Sequence, residues 1–187
     1  MKKIGVLALQ GAVREHIHRL EELGCETVLV TRLEHLAGLD GLILPGGEST
    51  TMRKLLDRYD LLEPIRKLAL GGLPVFGTCA GLILLAKEVM GYDAHLALMN
   101  IVVARNSYGR QADSFESTLD IPAIGEAIPA IFIRAPHIVS VGEGVTVLAE
   151  HEGKIVLARE GNLLGCSFHP ELTLDLRILK YFVTSIV

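Results

Sequence analysis

No Cys-x-x-Cys pair occurs in this chain, and its three cysteines, Cys25, Cys79 and Cys166, lie far apart. That spacing argues against a disulfide framework and against a structural zinc site. An excess of basic residues is also missing. With 18 Lys+Arg against 22 Asp+Glu the formal charge is −4, which argues against nucleic acid as a main partner. Long apolar runs are absent, and stretches such as Gly81–Ala86 are far too short to cross a bilayer. Met1-Lys2-Lys3 leads into an apolar run, but that run ends at Gln10 without a small-residue cleavage site, so it reads as a first strand and not as a signal peptide. No repeat, low-complexity tract or linker interrupts the 187 residues. Half of them are hydrophobic and 21% are charged, as in a compact globular chain. The expectation is one cytoplasmic domain, 1–187, with a real buried core, no membrane and no nucleic acid.

What is present is an alternation of strand and helix patterns. Lys3–Leu9 is short and almost wholly apolar, as a parallel strand buried on both faces would be. Val13–Leu23 has helical spacing, with Val13, Ile17, Leu20 and Leu23 on one face, and Gly24 ends it. On this reading His16 and His18 fall on the polar side. Strands are expected at Thr27–Thr31, Gly41–Leu44 and Pro74–Phe76, and helices at Thr50–Leu56, Leu61–Leu70 and Gly81–Val89. After residue 100 the strands shorten: Ile101–Ala104, Phe115–Leu119, Ala130–Ile133, Val145–Ala149, Ile155–Ala158 and Leu163–Phe168. Glu152-Gly153 makes a hairpin turn among them, and Leu172–Ile186 closes as an amphipathic helix. The fold class is therefore α/β: a doubly wound, mostly parallel central sheet with flanking helices and extra short antiparallel strands in the second half. Such sheets bind ligands beyond the carboxyl ends of their strands, where the loops at 10–12, 45–50 and 77–81 would meet.

Phe76-Gly77-Thr78-Cys79-Ala80-Gly81-Leu82 lies between an apolar strand run and an apolar helix pattern. That is a nucleophile elbow with sulfur in place of oxygen, and Gly77 and Gly81 would permit its sharp turn. A cysteine at a helix N-terminus is also favoured as thiolate. His169-Pro170-Glu171 follows the last strand run, and in an extended segment residues i and i+2 point the same way. Glu171 could then orient His169, and His169 could activate Cys79. Taken alone, the same tripeptide also reads as a solvated turn.

Pro45-Gly46-Gly47-Glu48-Ser49-Thr50 is neither a Walker A loop nor GxGxxG. Its glycines would let backbone N–H groups approach a ligand. Glu48 would repel phosphate but suit an ammonium group; the bland alternative is a turn with a Ser or Thr helix cap. Arg105 and Arg134 sit at or just past strand ends, placed to grip a carboxylate, although a lone arginine also reads as a surface charge. Cys25 and Cys166 read as small core hydrophobes.

Taken together, the segments 5–16, 44–51, 77–82, 105–111, 132–137 and 165–171 resemble the triad, or class I, glutamine amidotransferases. Gly46-Gly47-Glu48-Ser49-Thr50-Thr51 and Leu9-Gln10-Gly11-Ala12 narrow the resemblance to the branch of glutaminase subunits of two-component pyridoxal 5′-phosphate synthases. The resemblance spans nearly the whole chain. It implies hydrolysis of L-glutamine to glutamate and ammonia through a glutamyl thioester on Cys79, with His169 moving the proton and Glu171 holding the imidazole. It further implies glutamine binding by Gly47, Glu48, Ser49, Arg105, Ile133 and Arg134, and an oxyanion hole from Gln10, Gly11 and Ala80. No cofactor and no metal are implied. The implied partner is a synthase subunit in a large hetero-oligomer, which activates the weak free glutaminase and receives its ammonia through a channel. A gated oxyanion hole would explain that activation, and the first helix, with Arg14, His16 and His18, is expected in or near the docking surface. Two rivals are a cysteine peptidase or glyoxalase-like enzyme with an elbow cysteine, and a regulatory subunit whose Cys79 only senses oxidants.

Overall fold

Short, predominantly apolar segments of four or five residues become the interior parallel strands of the sheet. In the computed structural model, which describes residues 1–108 and 114–187, the chain begins β1 (Lys3–Leu7), α1 (Val13–Glu22), β2 (Glu26–Val30), β3 (Gly41–Leu44), α2 (Ser49–Arg58), α3 (Leu62–Leu70), β4 (Val75–Thr78) and α4 (Ala80–Leu85). It continues with β5 (Ala86–Val89), β6 (Met99–Ala104), β7 (Ser114–Ile121), β8 (Gly125–Ile133), β9 (His137–Val141), β10 (Thr146–His151), β11 (Lys154–Glu160), β12 (Leu163–Cys166) and α5 (Arg177–Ser185). The main sheet runs β2-β1-β3-β4-β12-β11-β9-β6-β5, with β10 added on β11. From β2 to β12 every pairing is parallel, and β11 then reverses direction. β7 and β8 form a separate antiparallel pair. The expected α/β class, with its parallel first half and antiparallel additions, is what forms.

Burial follows place in the sheet. β3, β4 and β12 are buried at every residue, whereas β2 at the edge exposes Glu26 and Leu29. Because side chains alternate across a strand, Leu42 and Leu44 join one apolar cluster with Met52, Leu56 and Ile65 of α2 and α3. Ile43 between them joins the opposite cluster, with Leu20 of α1 and Leu179 and Phe182 of α5. Chain order 2-1-3-4 places a switch point between β1 and β3, where the crossovers leave in opposite directions. The loops after β1, β3 and β4 therefore open at one edge.

Several local expectations need correction. Gly81–Val89 is not one helix: α4 stops at Leu85, and Ala86–Val89 pairs with β6 as β5. The last helix does not begin at Leu172; a 3-10 turn occupies Pro170–Leu172 and α5 starts at Arg177. The strand read as Leu163–Phe168 ends at Cys166, and β9 was not anticipated. Glu152-Gly153 is the expected hairpin turn, with φ of 49° and 76° as its primed type requires. Gly109, Arg110 and Gln111 of the 105–111 motif lie outside the described residues.

Candidate active site

Cys79 is the single residue between β4 and α4, and it takes φ 50°, ψ −103°. A side chain rarely adopts this left-handed region, and such strain persists only where the surroundings enforce it. Here the enforcement is backbone pairing: Cys79 N–H donates to Cys166 O at 2.9 Å, and Leu82 N–H donates to Cys79 O at 3.1 Å. Gly77 and Gly81 permit the sharp turn as expected, and they do so by close approach. Neither needs a positive φ; a Cβ on Gly77 would strike the Gly81 backbone, and one on Gly81 would strike Leu44 O. The two glycines let the turn close, while the cysteine carries the unusual backbone.

His169 reaches Cys79 because β12 lies parallel beside β4, with Cys166 level with Thr78. The two side chains thus leave from the same ends of adjacent strands. His169 N–H donates to Ile131 O at 2.8 Å, which fixes the backbone beyond the strand. Its Nδ1 lies 2.7 Å from Glu171 Oε1, so the expected same-side placement of residues 169 and 171 is realised. A carboxylate only accepts, so Nδ1 bears the proton and Nε2 is left to exchange one with the thiol. His169 and Glu171 are almost fully buried. Burial works against the imidazolium, but hydrogen bonds to Cys79 and Glu171 and the charges of both outweigh it, holding the His169 pKa up at about 10. Burial likewise pushes the Glu171 carboxyl up, but His16, when protonated, and the hydrogen bond and charge of His169 keep it below the usual range.

A cleft of about 480 Å³ opens over this array. Gln10, Gly11, Gly47, Glu48, Ser49, Cys79, Ala80, Arg105, Ile133, Arg134 and His169 all line it, so every expected site residue meets there except Glu171, which lies buried behind the imidazole. The loops after β1 and β3 are laced together: Ala12 N–H donates to Gly46 O at 3.0 Å, and Glu48 N–H donates to Gln10 Oε1 at 2.8 Å. Gly11 has φ 101°, and a Cβ there would overlap Gly46 O, so no other residue fits.

At the rim the helix cap is Glu48, not a Ser or Thr. Its carboxylate accepts from Thr50 N–H at 3.1 Å and from Thr51 N–H at 2.7 Å. Partial burial opposes ionisation, but the Thr51 and Thr50 hydrogen bonds bring its pKa down to about 2. Arg105 Nη2 lies 3.2 Å from Glu48 Oε1, and its guanidinium covers the Tyr92 ring at 4.4 Å. Ser49 Oγ is buried with no hydrogen-bond partner among the described residues. Cys25 and Cys166 are buried free thiols, as expected. Among the described residues no three His, Cys, Asp or Glu side chains are grouped to hold a metal ion, and no helix is long and apolar enough to cross a membrane.

Two residues already singled out in the sequence take parts in the site other than those expected of them. Gly46 is one: a Cβ there would overlap His169 Cε1. His16 is the other, and it corrects an expectation. It is fully buried, not on the polar side of α1 and not available to a docking surface, with Nε2 3.2 Å from Thr78 Oγ1 and 3.5 Å from Glu171 Oε2. The signal was there, since position 16 lies three after Val13 and four before Leu20 on the apolar stripe.

A family model described as the SNO glutamine amidotransferase family matches residues 6–187. The protein named pyridoxal 5′-phosphate synthase subunit PdxT from Geobacillus kaustophilus (strain HTA426) is 60% identical over 185 residues, covering 98% of this chain and 94% of the relative. The protein of the same name from Bacillus velezensis (strain DSM 23117 / BGSC 10A6 / LMG 26770 / FZB42) is 60% identical over 98% of this chain and 94% of its own. A crystal structure described as a glutamine amidotransferase superposes with a TM-score of 0.92 at 49% identity, over 96% of each chain. PurLQS from Thermotoga maritima, at 19% identity and a TM-score of 0.75 over 100% of this chain and 99% of its own, shares the fold. A match of this extent, with relatives this similar along almost the whole length, shows that the chain belongs to the SNO glutamine amidotransferase family.

Proposed function

We propose that this chain, acting as one glutaminase domain in the cytoplasm, hydrolyses L-glutamine and delivers the ammonia to a pyridoxal 5′-phosphate synthase subunit for vitamin B6 synthesis. The observation that carries the reading is the Cys79–His169–Glu171 array beneath a rim where Arg105 and Glu48 stand 3.2 Å apart. A neighbouring guanidinium and carboxylate complement the carboxylate and ammonium of a free amino acid. Arg134 and Ile133, which line the same cleft, and the Ser49 hydroxyl, unpartnered among the described residues, add contacts along the bound molecule.

In the reaction Cys79 gives its thiol proton to His169 Nε2, forming a thiolate–imidazolium pair, and Sγ attacks the side-chain amide carbon. Backbone N–H groups of Gly11 and Ala80, neither taken by another backbone acceptor among the described residues, receive the oxyanion, with Gln10 holding the loop. His169 gives its Nε2 proton to the departing ammonia, leaving a glutamyl thioester. The neutral imidazole then takes a proton from water as it attacks, releasing glutamate and restoring the starting pair. Glu171 keeps Nδ1 protonated throughout.

The experiment is glutamate release measured with and without the synthase subunit, alongside pyridoxal 5′-phosphate formation from glutamine. Turnover that rises on adding the partner supports the reading; no glutamine-dependent turnover with the partner present overturns it. The subunits would form a large hetero-oligomer with the ammonia passing between them.

The departing ammonia needs a protonated imidazole, and that proton is held up to about pH 10. Because the His169 pKa is raised, the acid is intact through neutral pH and lost only on the alkaline side. Activity should therefore fall as pH approaches about 10, in step with the His169 ring resonance in NMR titration. A fall centred near the ordinary histidine value would refute this.

For docking, our reading is that α1 lies in or near the partner surface, since it follows the Gln10-Gly11 segment and exposes Arg14, Glu15 and His18. Charge reversal at Arg14 and Glu15 should weaken the partner complex and its activation together. Unchanged affinity and unchanged activation would remove α1 from the interface.

A further inference from the structure

Glu171 has a second imidazole neighbour. Its Oε1 accepts a hydrogen bond from His169 Nδ1 at 2.7 Å, while Oε2 faces His16 Nε2 at 3.5 Å, just beyond hydrogen-bond geometry, and has no hydrogen-bond partner among the described residues. His16 comes from α1 on the far side of the carboxylate, and both side chains are wholly buried. We propose that His16 is a positioning residue: its Nε2–H fixes the Glu171 carboxylate from behind, so that the other oxygen stays aimed at His169. The proposal rests on the glutaminase reading for its effect on turnover, but not for its effect on Cys79.

The tautomer follows from what surrounds the ring. Nε2 faces both the Glu171 carboxylate and the Thr78 hydroxyl, 3.2 Å away. A lone pair on Nε2 would repel the carboxylate, whereas an N–H there can serve it, and Thr78 Oγ1 can accept as well. The charged or titratable groups nearest the ring are Glu171, His169 and Glu15. Burial, followed by the His169 charge, outweighs the two carboxylates and holds His16 below the ordinary histidine range, so the ring is neutral. A neutral donor is well suited here, because it orients the carboxylate without taking from His169 the negative charge that stabilises the imidazolium. Thr78 also precedes Cys79. His16 therefore touches both ends of the array, through Glu171 on the β12 side and through the strand that bears the nucleophile.

Three substitutions separate positioning from bulk packing. The glutamine amide nitrogen falls near the position of Nε2, the asparagine one near Nδ1, and leucine keeps volume without a donor. With the synthase subunit present, His16→Leu and His16→Asn should lower kcat about 10–100-fold with little change in KM, the usual scale for groups that orient a reacting residue from behind. His16→Gln should recover most of the loss. The second readout needs no glutamine: the pH profile of Cys79 alkylation by iodoacetamide should shift in the leucine and asparagine variants and return in the glutamine variant. If the wild type proves inert toward glutamine, the function is wrong but this profile still decides the role of His16. If His16→Leu does not fold, the glutamine and asparagine variants decide alone. Equal kcat in those two, or an alkylation profile unmoved in every folded variant, overturns the proposal.

Discussion

Cys79→Ala should lower partner-stimulated glutamate release by a factor on the order of 10⁴–10⁶, the range found when a covalent nucleophile is removed from a working triad. No other thiol can substitute. Cys166 is fully buried, its sulfur donates to Phe168 O at 3.2 Å, and burial pushes its thiol well above the ordinary range. The folded state should survive, because the turn is held by backbone bonds to Cys166 and Leu82 that alanine keeps. Glutamine should still bind, since Arg105, Glu48 and Ser49 are untouched. Glutamate release by coupled assay and glutamine affinity by calorimetry test both halves. Residual activity above about a thousandth of wild type would require another nucleophile and sink the thioester route.

Gly46→Ala should have the next largest effect, although position 46 carries no chemistry. An added Cβ would overlap His169 Cε1 and sit 3.0 Å from Nδ1 and 3.5 Å from Cys79 Cβ, between base and nucleophile. The imidazole cannot retreat freely: its backbone N–H is tied to Ile131 O and its Nδ1 to Glu171. A shift of about 1 Å in a reacting group commonly costs on the order of 10²-fold in rate. We therefore expect kcat to fall about 10²-fold or more. Stability should drop by about 1–3 kcal/mol, as for overpacking elsewhere. Steady-state kinetics and urea unfolding check these separately. A kcat within an order of magnitude of wild type would mean that His169 has room to move.

The sequence carried the chemistry better than the outline of the second half. Cys79 was legible because a buried strand run, two flanking glycines and an apolar helix pattern leave few other conformations. His169 and Glu171 were legible because Pro170 restricts the chain between them. Their meeting with Cys79 was not visible in spacing: it depends on β12 entering the sheet beside β4. Residues 81–89 misled because a run without polar positions has no periodicity to separate helix from strand. His16 misled for the opposite reason. Its polarity outweighed its position on the stripe, although a buried polar residue beside a site is where pattern and function diverge. Glu48 served two purposes at once, as helix cap and as rim charge, and one residue identity cannot announce both.

Pairing of β4 with β12 also bears on how the molecule is made. β4 is translated before the second half of the chain, yet its neighbour on one side is the last strand of the sheet. Until β12 arrives, the open edge of β4 presents unpaired N–H and C=O groups on a strand buried throughout in the native state. Contacts this distant in sequence form slowly, because loop closure must precede them. A nascent or truncated chain lacking β12 would thus be both inactive and adhesive, and the thiol would meet its base only after translation had passed residue 169. Catalytic competence arrives together with the closing of the sheet.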